Sequence, residues 1–496
     1  MTAKTTYYLI AGLIVGIIIG SIIGYVVTPK GVPREEYEKL LAENKSLKEK
    51  VEKLASELEA AKVKTIKIKA WSSGSPVDYY RAENLKRAAK VLETLLKLSG
   101  VDVTIEIDSY YEHVADWKAW KKKFVAAFEA KEAPDIFSGG ISVPEGAEAG
   151  WIISLDKYIE KYKDLISDIP ETLWNIAKYK GKIWGVPQDV SAQVFYFRKD
   201  ILRKLGWSEE EIEALRTGIA KGEITWEDLM KIAKEAMDKG LVKWGFYHRP
   251  NWGTSLELPY YEAGGTFYDP VTGKLVIDKS ALLAMYDVFY KMTQVYKVLP
   301  TTMIGTSWRK IHMGFVNGRV LFWLGGNWHW GEWQKVEYHE KLGKLPEEYE
   351  WKNIGFAPYP AVEKGEKPMM TTGAWMYLIT SQSKYPEIAF LLCVLASLPP
   401  YDTDHATTSG HIPVRYSTIN YPPFVEKGKF LYEVSTFVAK FGVSKPVLHP
   451  KWGTLKDILL TYLTKVEKGA LTPEKAVEEV VKAAKAELGD EVVIRD

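Results

Sequence analysis

The sequence predicts an α/β protein built on a doubly wound sheet, set behind an apolar amino-terminal segment and a heptad-patterned helix. Three observations carry that expectation. The stretch Tyr7–Val27 holds no charged residue, and a seven-residue apolar seam runs unbroken through 37–61. From residue 64 onward, strand-like and helix-like segments alternate at the spacing of strand–helix–strand units. The 496 residues suffice for about two to four domains at ~100–200 residues each. Basic and acidic residues nearly cancel, 66 against 64, so no global charge points to nucleic acid as a partner. The single cysteine, Cys393, lies in the apolar run Phe390–Leu395, which excludes an intrachain disulfide and reads as a small buried hydrophobe.

Taken in chain order, the uncharged segment 7–27 spans about 31 Å as a helix, enough for a bilayer core. It runs into Tyr25-Val-Val-Thr-Pro-Lys30 without a small-residue cleavage pattern, and no cysteine follows for lipid attachment. An uncleaved single-pass anchor over 1–30 is therefore expected, in the cell membrane with the folded mass outside. Flanking charge decides little about orientation, whereas a long folded domain translocates largely regardless of charge. Gly12, Gly16, Gly20 and Gly24 fall on one helical face, where a second helix could approach.

Over 31–63, Tyr37, Asn44, Val51 and Leu58 take one seam position, and Leu40, Leu47, Leu54 and Ala61 the other. Valine and leucine in those places favour two parallel strands, with Asn44 setting register. Glu43 would face Lys48, and Glu57 would face Lys62, of a second chain. The expectation is a coiled-coil stalk of about 45 Å that pairs two copies in a parallel homodimer through 37–61.

The pattern changes at Val63. Lys64–Trp71 alternates with period two and ends in the turn Ser72-Ser-Gly-Ser-Pro76. A helix over Tyr80–Leu98, a strand over Val101–Ile107, a helix through Phe124–Phe128 and a strand at Pro134–Phe137 follow. Ligands of such sheets bind beyond the carboxyl ends of the strands, which here carry Trp71-Ser-Ser-Gly74 and Ser138-Gly-Gly140. Ser208 with Glu211 caps a helix ending near Gly218, and Thr225 with Asp228 caps one ending at Gly240. Thr472-Pro473 opens the last helix, which ends near Gly489. Scarce Gln and Asn beside abundant Lys and Glu suit a hyperthermophile.

Two segments then carry a resemblance: Tyr179-Lys-Gly-Lys-Ile-Trp-Gly-Val-Pro187, and Val194-Phe-Tyr-Phe-Arg-Lys-Asp200. Together they resemble the signature of the sugar-binding, maltose-binding-protein-like extracellular solute-binding proteins of ABC transporters. Trp184 stands where the pattern usually has Tyr, and Arg198 where it has Asn. Thr225–Leu229, Gly264-Gly265, Phe315–Arg319, Asn327-Trp328, Gly355–Pro358, Thr372–Trp375 and Ser409–Pro413 continue the series in order. The resemblance covers about 64–496. It implies a two-lobed, type II periplasmic-binding-protein-like fold with hinge strands, lobe one over 64–189 and 373–440, lobe two over 190–372 and 441–496. The chain would cross between lobes near Pro187–Ala192, Met370–Trp375 and Phe441–Pro446. A carbohydrate would be held in the cleft between lobes and passed to the permease subunits of an ABC importer, without cofactor or catalysis.

A sugar presents C–H faces that suit aromatic rings, and hydroxyls that suit Asp, Asn, Gln, Ser and backbone amides. By similarity of position the contacts would be Ser72 and Ser73 after the first strand, and Ser138 and Gly139 after the third. Asp189, Ser191 and Gln193 lie on the crossing segment. Asn251 and Trp252 precede the Pro259–Gly265 helix, and Asn327, Trp328 and Trp330 follow the Val320–Leu324 strand. Trp375 and Trp452 complete the set. The residues alone leave the sugar open, and a peptide with it.

Two other function classes fit part of the sequence. A glycoside hydrolase needs only two carboxylates about 5–10 Å apart, for which Asp189 and Glu262 are the candidates. A structural surface protein could use the lobes as bulk. His405 near Asp402 and Asp404 offers metal-ligand chemistry, but in a Thr/Ser-rich loop it reads as solvated. Neither a glycine-rich phosphate loop nor a serine elbow is present.

Overall fold

The computed structural model describes residues 49–60, 62–114 and 116–496. These form two compact units, one drawn from the described residues up to Val190 and from Ala374–Tyr432, the other from Ser191–Gly373 and Glu433–Asp496. The chain thus passes between units at 190/191, 373/374 and 432/433. The third passage comes earlier than expected: Gly442 and Val443 pair with Met370 and Thr371, so 441–446 lies wholly inside the second unit.

In the first unit, strand Thr65–Gly74 buries Ile66, Ile68 and Ala70 against the core while Thr65 and Lys67 face solvent. It pairs in parallel with Thr104–His113 on one side and Ile136–Phe137 on the other. The second strand begins three residues later than the apolar run suggested, since Val101 and Val103 are buried in the connection ahead of it. Ile136 and Phe137 also pair, antiparallel, with Ile379 and Leu378 of the returning strand. Helix Tyr80–Leu98 covers the sheet with Leu85, Ala88, Ala89, Leu92 and Leu96. Helix Trp117–Glu129 is capped by Asp116, whose carboxylate accepts from the amides of Lys118 and Ala119. Cys393 is fully buried in the helix Pro386–Leu395, and burial raises its thiol pKa well above the ordinary range.

The stalk expectation is corrected where it can be followed. Residues 49–60 are helical, but Val51, Leu54, Ala55 and Leu58 join the same apolar cluster as Leu92, Leu96, Tyr162 and Phe390. Lys50 anchors the helix by an ion pair to Asp164 at 2.7 Å. A heptad seam specifies only an apolar stripe, and here the chain's own first unit covers it. Docking to a neighbouring surface of the same chain avoids the entropy of bringing in a second copy. The parallel homodimer through 37–61 therefore loses the seam positions 51, 54 and 58, while 37–48 lies outside the described residues.

The anchor expected over 7–27 also lies outside the described residues. Among the described residues no helix is long and apolar enough to cross a membrane. That finding overturns the expected placement as a single-pass protein of the cell membrane.

In the second unit, the part of strand Gly185–Arg198 beyond residue 190 lies between two partners. It pairs antiparallel with Val320–Gly326 and with Ile354–Ala357. Val320–Gly326 is buried along its whole length and pairs in parallel with Trp244–Tyr247. Both expected capping boxes are present, Ser208 with Glu211 and Thr225 with Asp228. The first helix runs to Lys221 and ends at Gly222, whose φ of +73° suits glycine; Gly218 is an interior residue packed against Ile224. Thr472 caps the last helix, Pro473–Leu488. The chain then closes in a strand, Val492–Arg495, parallel to Lys274–Asp278.

Candidate functional site

Four of the expected contacts converge in the first unit. Ser73 Oγ donates to the Ser138 carbonyl at 2.7 Å, and the indole Nε1 of Trp375 donates to Ser138 Oγ at 2.6 Å. Gly139 closes the group. Its φ is +89°, and a Cβ there would lie 2.5 Å from Ser73 Oγ and 2.7 Å from Trp375 Cζ2. Both the backbone conformation and the space therefore demand glycine. Ser72 turns the other way and donates to the Arg81 carbonyl at 3.3 Å. The half-buried Trp375 ring leans on Trp117, 5.5 Å between centroids, and lies 4.2 Å from the Arg81 guanidinium carbon. Indole, hydroxyl and cation together hold this ring in place while leaving part of it accessible.

Arg81 and Trp117 were not anticipated from the sequence. Arg81 is 1% exposed and uses its whole fork. Nε donates to Gln188 Oε1 and Asp189 Oδ2, each at 2.9 Å, and Nη1 donates to the Ser73 carbonyl at 2.9 Å. Nη2 donates to Asp189 Oδ2 at 2.7 Å, and Asp78 Oδ2 sits 3.3 Å from Nη1. His405 and His411 complete the cluster, the former 3.0 Å from Asp189 and the latter 3.3 Å from Asp78. Burial works against both carboxylates, yet Arg81 and the histidines outweigh it: Asp78 is held down to about 2 and Asp189 lower still. Burial would depress the Arg81 pKa, but Asp189 and Asp78 carry it above the ordinary value. Asp189, expected at the ligand, is thus a buried counterion of Arg81.

The second unit treats its expected contacts unequally. Asn327 is fully buried and clamps the crossing segment, its Oδ1 accepting from the Ala192 amide at 2.8 Å. Gln193 is buried in register with Gly326, and Ser191 Oγ donates to the Gly373 carbonyl at 3.4 Å. Trp330 is a core residue, 3% exposed, edge-on to Trp351 and Phe356. Trp328 is half-buried, its ring lying over Gly326, where a Cβ would come within 2.1 Å of it. Trp452 is also half-buried, 5.2 Å from Phe267. Trp252 donates its indole proton to Glu257 Oε1 at 2.7 Å, and Asn251 Oδ1 accepts from Arg249 Nε at 3.1 Å. No local pattern marks Arg249 or Glu257, which emerge only as neighbours of that loop.

The competing constellations come apart. Asp402, Asp404 and His405 sit on a helix, Pro399–Ser409, rather than in a solvated loop, and face different partners. Asp402 accepts from Thr418 Oγ1 at 2.8 Å, Asp404 pairs with Arg87 at 2.7 Å, and His405 belongs to the Arg81 cluster. The hydrolase pair is equally committed, for Trp226 Nε1 donates to Glu262 Oε2 at 3.1 Å and burial raises the Glu262 pKa well above the carboxylate range.

His312, His329 and Glu332 do gather their potential ligand atoms within 4.8 Å in the buried core of the second unit. A metal on one imidazole nitrogen needs the other to carry a donating proton. Here Trp333 donates to His312 Nδ1 and Trp323 to His329 Nδ1, each at 3.0 Å. Burial holds the His312 pKa down to about 3. These are neutral imidazoles accepting from indoles, an arrangement that does not fit a metal centre.

Comparison with known proteins agrees with the two-unit architecture. The family "Bacterial extracellular solute-binding protein" matches residues 84–393. An arabinooligosaccharide-binding protein of Halalkalibacterium halodurans is 22% identical over 313 residues, 62% of this chain and 61% of that relative's length. Maltose-bound MalE3 of T. maritima superposes with a TM-score of 0.65 at 19% identity, covering 84% of this chain and 99% of the other. The GacH receptor of Streptomyces glaucescens gives 0.66 at 19% identity, covering 86% and 99%. At such identities the structural likeness speaks for the fold.

Proposed function

The chain belongs to the bacterial extracellular solute-binding proteins, and on that premise we propose that it captures a carbohydrate, in particular an oligosaccharide, and delivers it to an ABC importer. The observation that carries this reading is the Trp375 platform: a half-accessible indole braced by Ser138, Trp117 and Arg81 at the carboxyl ends of the sheet strands. Such a ring offers its face to sugar C–H bonds, and the hydroxyls and amides around it suit sugar hydroxyls. The named ligands of its relatives, arabinooligosaccharide, maltose and acarbose, agree in chemical class. Trp328 and Trp452 are the corresponding candidate rings of the second unit. No step requires a nucleophile or a metal, so the function is binding rather than catalysis. Native mass spectrometry of the purified protein, followed by titration with the co-purifying sugar, tests the proposal. A bound oligosaccharide whose affinity falls in Trp375→Ala is the expected result. A peptide in its place, or release of reducing ends from oligosaccharides on long incubation, would sink it.

A further inference from the structure

The second unit holds a cation most of whose N–H donors have no acceptor among the described residues. Arg249 follows the strand Trp244–Tyr247 and stands in the loop that also carries Asn251 and Trp252. A guanidinium offers five N–H donors in a rigid planar fork. Among the described residues only Nε has a protein acceptor, Asn251 Oδ1 at 3.1 Å. Among the described residues no carboxylate forms an ion pair with Arg249. The loop is nevertheless shaped to hold it: Trp308 lies 5.7 Å from the guanidinium carbon, and a Cβ on Gly253 would come 1.8 Å from Nη1. The group is half-buried, and desolvation leads in bringing its pKa from 12.5 to about 10, so it stays charged at neutral pH.

Lys456, 5.7 Å over the Trp452 ring, adds positive charge on the side of Glu257. Glu257 attracts Arg249 through space, but its oxygens accept from Trp252 Nε1 at 2.7 Å and Tyr261 Oη at 2.8 Å, and it takes no hydrogen bond from the guanidinium. A partly desolvated guanidinium with an open fork is best compensated by a planar anion, which can take two parallel N–H bonds. A neutral sugar hydroxyl offers no such compensation.

We propose that the bound carbohydrate is acidic, carrying a uronic-acid carboxylate that Arg249 binds through its open Nη edge while Asn251 fixes the fork. This rests on the carbohydrate reading above and deepens it.

The test is calorimetric titration of the full chain with matched pairs: cellobiose against cellobiouronic acid, maltose against maltobiouronic acid, and galactobiose against digalacturonic acid. In at least one pair the acidic member should bind about tenfold tighter or more, as a charge-assisted contact implies. Added salt should erode that preference. Arg249→Gln should bring the ratio within the pair close to one, and Arg249→Lys should restore part of it, since charge returns without the fork. The wild-type ratio needs no variant, so a misfolded substitution cannot mask the answer. Neutral members binding as tightly as acidic ones would overturn the acidic-ligand proposal and leave the carbohydrate reading standing. Binding of a neutral co-purifying sugar while all six of these fail would likewise overturn the acidic-ligand proposal and leave the carbohydrate reading standing.

Discussion

Each unit places an arginine near its candidate contacts, and the two are used in opposite ways. Arg81 is enclosed, with Asp78, Asp189, Gln188 and the Ser73 carbonyl consuming its donors, and its carboxylate partners raise its pKa. Arg249 has one protein acceptor, and burial lowers its pKa to about 10. A buried cation whose donors are all consumed is a fixed part of the fold, whereas one held in place with most of its donors open retains interaction energy for something else. Residue type therefore says little about role; the surrounding acceptors decide it.

The comparison breaks most easily at Arg81. Arg81→Met should cost about 3–5 kcal/mol, because Asp78 and Asp189 would be left as buried charges without a cation. Urea unfolding measures this, and adding Asp189→Asn should recover part of the loss. A cost near zero would mean that Arg81 does not support the first unit. Leu54→Ala should cost about 2–4 kcal/mol through the cavity left in that unit's core. In a two-chain seam that loss would instead depend on protein concentration, which distinguishes the two arrangements.

Trp375→Ala should weaken sugar binding by about 1–3 kcal/mol while the fold persists. Trp330→Ala should do the reverse, lowering stability through the core it shares with Trp351 and Phe356. Titration and melting of both variants separate the platform from the packing residue.

Asp402 gives a pH signature within the first unit. Burial raises its pKa from 3.8 to about 7, with Thr418, Arg415 and the Val414 amide only partly opposing. The folded state thus holds the proton more tightly than the unfolded chain, and the stability this contributes is fully present below about 4. It is lost as pH rises toward about 7, after which the curve flattens. Asp402→Asn should remove that slope from a plot of unfolding free energy against pH; an unchanged slope would place its origin elsewhere. The smallest effect expected is that of Arg249→Gln on stability, below about 1 kcal/mol, since Glu257, the buried acid it attracts, keeps its hydrogen bonds from Trp252 and Tyr261.

Much of this was legible in the chain. Period-two alternation over 64–71 marked the central strand, and Ser208 with Glu211 and Thr225 with Asp228 marked helix starts, because such signals act over a few residues. The group of Ser73, Ser138, Gly139 and Trp375 was also reachable, since strand ends carry position-dependent motifs. Asp189 and Trp330 were placed at the ligand by position, yet one is a counterion and the other a core ring. Position along a strand fixes a residue's location and leaves open what its side chain faces.

The heptad seam shows the same division most plainly. By itself the sequence determined that 49–60 is helical with an apolar stripe at Val51, Leu54 and Leu58, because helix periodicity is local. It could not determine what covers that stripe, since any apolar surface of suitable shape will do. Tertiary structure decided it by bringing Leu92, Tyr162 and Phe390 to the same place. Likewise the sequence supplied Arg81 and Arg249 as equal charges, and only the folded chain surrounded one with carboxylates and left the fork of the other open. Electrostatic role depends on distance in space, which sequence separation does not record.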